Sequence, residues 1–293
     1  MSATLVILAA GQATRYGSLK QLEAFGPNGE LLMDYAIYDA INAGFDKVVV
    51  VINEEHRQTF TDILDKHILR SKFQLQLAVQ DKPLGTADAL RSAAPYVHEP
   101  MAVLNSDDYY GDGEVFRQAY AYLQQLQVKG TPLRYALLGY PLHATISLHG
   151  KVSRGICTCD EQGMLTKMVE WYGVHFNHDH VLYGTNSAGE IIQLDDHATC
   201  SMTFWLFPPE IMKELSNDFL LYSSFSHVPG RAGEFMLTSI IEVHRAAERA
   251  TVQVLPVASP RWCGVTSPED RDVVIARLED LHLAGVYGVL RQE

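Results

Sequence analysis

The stretch LVILAAGQATRYGSLKQ, residues 5–21, joins an apolar run to a loop carrying Gly11, Arg15, Gly17 and Lys20. A strand that runs into a Gly-bearing loop presents backbone N–H groups at a sheet edge, where they cradle phosphate oxygens. Arg15 adds a planar fork suited to two phosphate oxygens, and Lys20 a compact mobile charge. Two familiar phosphate loops do not fit. A dinucleotide site wants glycines in a G-x-G-x-x-G frame, and Ala9 and Ala13 stand where such glycines would be. A P-loop wants Gly-Lys-Ser/Thr, and this loop reads Gly17-Ser18-Leu19 after a longer gap.

Further along, QDKPLGTADAL (80–90) offers Gln80, whose amide can donate and accept at a base edge. Gly85 removes a side chain where a flat base would lie on backbone, and Thr86 can cap a helix. VLNSDDYYG (103–111) ends an apolar run on Asp107 and Asp108, hard carboxylates of the kind Mg²⁺ takes alongside phosphate oxygens. Neighbours on an extended chain point opposite ways, so only one of the two is expected as a ligand. The histidine-rich HFNHDHVLYG (175–184) has no second cluster at ligand spacing and is expected as a mobile lid loop rather than a metal site.

These loops need a frame. Strand-like runs at Thr4–Ala10, Lys47–Ile52, Phe73–Val79, Met101–Leu104 and Tyr135–Leu142 alternate with helical patterns at Leu32–Asn42, Glu54–Leu69, Thr86–Pro95 and Glu114–Gln127. Nearly continuous apolar strands such as KVVVVI belong to a sheet covered on both faces, and the alternation predicts a doubly wound, mainly parallel α/β sheet. Ligands of such sheets bind beyond the carboxyl ends of the strands, where every loop above begins. After residue 142 the pattern turns β-rich. VSRGICTCDEQGMLTKMVEW predicts a hairpin about D-E-Q-G, and this region is expected as a lid over the same sheet edge. Strand-like Cys200–Phe207 and Thr251–Val257, with helices at Leu237–Ala250 and after Ser267-Pro268, complete the chain.

With 293 residues, the expectation is one large domain: a nucleotide-binding half over 1–142, a lid over 143–257 and a helical segment over 258–293. The net charge of −12 argues against nucleic acid as a partner, and leaves an anionic substrate needing a divalent cation or well-placed basic groups. No apolar run approaches the roughly 18 residues of a membrane span. TLVILAA lacks a basic lead and is expected as a first strand, not a signal peptide. Four cysteines without C-x-x-C pairing suggest buried thiols and a cytoplasmic location, with Cys157 and Cys159 on one strand face.

LAAGQATRYGSLKQL resembles the signature of the sugar-1-phosphate nucleotidylyltransferase family, and the resemblance continues in order through QDKPLGTADAL, VLNSDDYYG, the 152–170 hairpin and GEFMLTSII (233–241). It implies a Rossmann-like, nucleotide-diphospho-sugar transferase fold and transfer of a nucleotidyl group from an NTP to a sugar 1-phosphate. It implies Arg15 and Lys20 as catalytic residues. Leu8, Ala10, Gly11, Gln80, Pro83, Gly85 and Thr86 would hold the nucleotide, and Asp107 would bind Mg²⁺. Asp108, Gly155, Glu170 and Glu234 would face the sugar.

The chain departs from the family pattern at two places. Trp171 and Tyr172 follow Glu170 where relatives often carry Lys and Pro, so Arg154 is expected to supply the missing cation, and Trp171 either stacks on the sugar or packs the lid. Cys263-Gly264 stand where many relatives bring a second metal-binding Asp. Alternatives are a cytidylyltransferase for a small phospho-alcohol or phosphonate, and a catalytically weakened nucleotide-binding regulator. Base, sugar and a homo-oligomeric state stay open.

Overall fold

The computed structural model describes residues 2–11, 20–126, 132–147, 149–225, 233–257, 260–265 and 269–292, the side chains of Lys20 and Phe225 excepted. The first half alternates: β1 (Thr4–Leu8), α1 (Leu32–Ala43), β2 (Lys47–Ile52), α2 (Arg57–Leu64), β3 (Gln74–Val79), α3 (Thr86–Ser92) and β4 (Met101–Asn105). Short β5 (Asp108–Tyr109), α4 (Gly113–Gln125) and β6 (Leu133–Pro141) follow. Then come β7 (Val152–Cys159), β8 (Leu165–Phe176), β9 (Leu182–Thr185), β10 (Ile191–Gln193) and β11 (Thr199–Phe207). The chain closes with α5 (Ile211–Phe225), α6 (Leu237–Ala246), β12 (Ala250–Pro256), β13 (Cys263–Gly264) and α7 (Asp270–Leu283).

Eleven strands form one sheet in the order β10-β9-β8-β7-β11-β4-β1-β2-β3, with β6 also on β11 and β12 on β6. β1 runs parallel to β2 and β4, β2 to β3, and β6 to β12, whereas β11 is antiparallel to β4, β6 and β7. Successive strand residues bury on opposite faces, as the two-residue period requires. Ile7, Val50 and Leu104 meet Met33, Phe60 and Phe116 of α1, α2 and α4. Val6, Val49 and Val103 meet Leu90, Leu215 and Ile241 of α3, α5 and α6. A third cluster, with Tyr35, Tyr109, Val274, Leu278 and Tyr287, seats α7 against α1 and β5. No helix among the described residues is long and apolar enough to cross a membrane.

The β-rich region continues the main sheet through β7 to β10. The histidine-rich segment departs from the expected loop: residues 175–184 end β8, turn at 177–180 and return along β9 in register His175 to Tyr183. Cys157 is buried and Cys159, at the end of β7, is exposed; the β7–β8 ladder slips beside it, with Thr166 of β8 as the extra residue.

Candidate functional site

A cleft of about 1030 Å³ opens beyond the carboxyl ends of β1, β3 and β4 and is closed on its far side by β7, β8 and a bend in β11. Thirteen of the fifteen site residues expected from the sequence line it: Leu8, Ala10, Gly11, Gln80, Pro83, Gly85, Thr86, Asp107, Asp108, Arg154, Gly155, Glu170 and Glu234. Arg15 lies outside the described residues, as does the Lys20 side chain. By sheet order, the β1 and β3 ends stand on one side, β7 and β8 on the other, and Asp107 and Asp108 follow β4 between them.

The ends of the first loop are pinned. Gln21 Nε2 donates to the Gly11 carbonyl at 2.7 Å, and Asn53 Nδ2 donates to the Ala10 carbonyl at 3.2 Å. The second loop is held against the start of α6. Phe235 N donates to Leu84 O at 2.6 Å, Ala87 N to Phe235 O at 2.9 Å, and Leu237 N to Thr86 Oγ1 at 3.0 Å. Thr86 therefore caps a neighbouring helix rather than its own. Glu234, expected on the sugar side, enters from this edge beside Phe235, because the Phe235 backbone is hydrogen-bonded to the 84–87 turn.

Asp107 and Asp108 both line the cleft. A turn at Ser106–Asp107 separates them from the extended run of β4 before β5 begins. Asp108 Oδ2 accepts from Asn105 Nδ2 at 3.2 Å and from the Tyr110 hydroxyl at 3.4 Å. Its other oxygen occupies space a side chain at 264 would fill: a Cβ on Gly264 would lie 2.4 Å from Asp108 Oδ1 and 2.6 Å from the Trp262 ring. β5 pairs with β13, which sets Gly264 opposite Asp108. Two adjacent hard carboxylates in a cleft fit a cation that takes one or two carboxylates and draws its other oxygens from a substrate. No group of three or more His, Cys, Asp or Glu suited to a metal occurs among the described residues.

On the far side, Arg154 is braced. Its Nε donates to Thr145 Oγ1 at 3.1 Å, Nη1 to Ser153 O at 2.8 Å, and Nη2 to the Thr145 carbonyl, while the guanidinium sits 5.1 Å from the Trp262 ring centroid. Burial lowers its pKa, which Cys200, Asp108 and Glu170 partly offset, while the three hydrogen bonds hold the guanidinium in place. Burial raises the Glu170 carboxyl, which Arg154 partly offsets. Glu170 and Tyr172 share the cleft face of β8, and Trp171, between them, packs into the core of the lid. Period-two alternation makes Tyr172, not Trp171, the aromatic that β8 brings to the cleft, where Trp262 also lies.

Ser201, Met202 and Thr203 also line the cleft, and nothing in their residue types signals it. They lie where the β11 register jumps between Ser201 and Trp205, and Thr203 adopts φ +61°, unusual for a β-branched residue.

Residues 4–141 match the family described as nucleotidyl transferase. The chain is similar to the bifunctional protein GlmU of Burkholderia mallei (strain SAVP1), 26% identical over 280 residues that cover 95% of this chain and 51% of that protein. The chain thus spans about half the length of the curated relatives it matches. In fold it is similar to a UDP-glucose pyrophosphorylase solved with UDP-glucose, at TM-score 0.63 and 16% identity, covering 94% of this chain and 98% of that one. It is also similar to the inositol-1-phosphate CTP transferase from T. maritima, at TM-score 0.60 and 13% identity, covering 95% and 96%.

Proposed function

We propose that this chain transfers a nucleoside monophosphate from an NTP to a sugar 1-phosphate, giving an NDP-sugar and pyrophosphate. The observation that carries this is one cleft holding Gln80 and Gly85 on one wall, Arg154, Gly155 and Glu170 on the other, and paired carboxylates between. A phosphate monoester, with second pKa about 6, is already largely ionised at neutral pH, so its oxygen needs no general base to attack the α-phosphorus. The task reduces to in-line positioning and charge stabilisation.

Gly11 and its neighbouring amides would hold the triphosphate, and the base would lie against Gly85 beside Gln80. Arg15 would stabilise the departing pyrophosphate and Lys20 would bridge the reacting phosphates, both assigned from the sequence motif. Arg154, Gly155 and Glu170 would meet the sugar phosphate and its hydroxyls, with Glu234 reaching in from the base side. Bound Mg²⁺, held by Asp107 with Asp108 beside it, would neutralise phosphate charge. A cytoplasmic location accompanies this proposal, in keeping with four free thiols.

The test is a screen of NTPs against sugar 1-phosphates with Mg²⁺, reading released pyrophosphate. Arg15→Ala is expected to lower turnover on the order of 10²–10³-fold, by analogy with loss of one oxyanion-hole donor. Turnover within about threefold of wild type would remove Arg15 from the mechanism. The fold shared with an inositol-1-phosphate CTP transferase favours one second reading, a non-sugar phosphate acceptor. Release of pyrophosphate only with phospho-alcohols would select it, and NTP binding without release would select a regulator.

A further inference from the structure

Gln80 is 4% exposed and lines the cleft. Its Nε2 donates to the Gly85 carbonyl at 3.1 Å and to Asp88 Oδ2 at 3.0 Å. Both partners are acceptors only: a backbone carbonyl and a carboxylate. They take both amide protons, and no other orientation of the Gln80 amide satisfies them. The oxygen Oε1 is left to the cleft.

Asp88 is itself fixed. It is 2% exposed, and its Oδ1 accepts from Arg91 Nη2 at 2.7 Å and Nε at 3.0 Å. Arg91 in turn lies 4.0 Å from the centroid of Phe219 on α5, and Phe219 packs edge-on against Phe235, the residue that borders Gly85. The orientation of one amide is thus built into the packing of α3, α5 and the start of α6.

We infer that Asp88 is a positioning residue for base selection: it locks Gln80 so that the cleft offers an acceptor only, and the base must present an N–H there. This rests on the nucleotide reading of the cleft. Uracil and cytosine share a ring but differ in whether N3 carries a proton, and guanine and adenine differ likewise at N1. Their exocyclic groups swap donor for acceptor at the same time. A locked acceptor therefore separates keto from amino bases of one ring size, whichever of the two positions it meets. An amide free to turn over would accept both.

The test compares binding of UTP, CTP, GTP and ATP by calorimetry, alongside kcat/KM wherever pyrophosphate is released. Wild type is expected to prefer one member of the keto/amino pair of its ring size by about tenfold to a hundredfold, the range set by leaving one buried polar group unpaired. In Asp88→Asn the new amide can donate to Gln80 Oε1, the lock is released, and that ratio is expected to fall at least about fivefold. A merely structural role would weaken both bases equally and leave the ratio standing, which would overturn the inference. A second measurement needs no variant: methylating the proton-bearing nitrogen on the preferred base is expected to cost wild-type binding at least about tenfold. Unchanged affinity for that analogue would also overturn it. Selective binding that Asp88→Asn abolishes, without turnover by either protein, would sink the transferase proposal and leave this inference intact. Turnover with an unaltered base ratio would do the reverse.

Discussion

Gly85→Ala tests the nucleotide side of the cleft most directly. Gly85 adopts φ +116° and ψ 175°, a region open essentially to glycine alone, and forcing another residue into it costs about 1–3 kcal/mol. Space is lacking as well. A Cβ there would lie 2.6 Å from the Phe235 oxygen, 2.8 Å from its carbonyl carbon and 2.9 Å from its nitrogen. Ordinary contacts begin near ~3.5 Å, so the Phe235 backbone must retreat by several tenths of an ångström or more. It is held by the Phe235 N to Leu84 O and Ala87 N to Phe235 O bonds, each worth about 1 kcal/mol net. Strain plus one lost bond gives an expected destabilisation of about 2–4 kcal/mol, read from urea unfolding. Nucleotide affinity should fall at least about tenfold, since the turn moves with Gln80 bonded to it. A variant that unfolds within about 0.5 kcal/mol of wild type and binds NTP as tightly would refute the reasoning.

Two further outcomes are expected. Gly264→Ala would push the Asp108 carboxylate and the buried Trp262 ring aside, so unfolding should change by about 1–3 kcal/mol while Mg²⁺-dependent turnover falls at least about tenfold. Equal loss of stability and activity would argue against a positioning role for the bare backbone at 264. Asp39, 5% exposed, accepts from the Tyr287 hydroxyl at 2.6 Å, and burial pushes its carboxyl up to about 7. The folded chain then keeps a proton that the unfolded chain releases near pH 4, so the stability Asp39 contributes is full below about pH 4 and lost as pH rises through about 7. The gap between those two pH values corresponds to about 4 kcal/mol. The stability of Asp39→Asn relative to wild type should therefore rise by up to about that amount between pH 4 and pH 8 in urea unfolding, and a pH-independent difference would contradict the assignment.

Strands β1 to β4 are legible in the sequence because an apolar run bounded by Gly or polar turns has few other ways to bury itself. Boundaries shift where local hydrogen bonding takes over: the helical pattern over 54–69 resolves into a short 3-10 turn and α2, which stops at Leu64. The histidine-rich stretch resembles a loop because its residue types carry no alternation, yet Asn177 folds it into a turn by accepting from the amides of Asp179 and Val181. The extended run of β4 stops at Asn105, and the turn that carries Asp107 and leads into β5 at Asp108 is not visible in residue type. Thr203 and the β11 bulge leave no mark in residue type, since a register jump is decided by two partner strands.

Residue types and spacing along the chain determined the alternating framework, the cleft edge at which the loops converge, and thirteen residues that meet there. The framework and the cleft edge follow from local periodicity and short-range turn chemistry, which a linear pattern records, and the site residues from motifs that resemble those of the sugar-1-phosphate nucleotidylyltransferase family. Tertiary structure alone decided which way the Gln80 amide faces, which aromatic of Trp171 and Tyr172 reaches the cleft, and why position 264 is bare beside Asp108. Each depends on partners that residue types do not announce: Gly85 and Asp88 for the Gln80 amide, β7 and β9 on either side of β8, and β13 against β5.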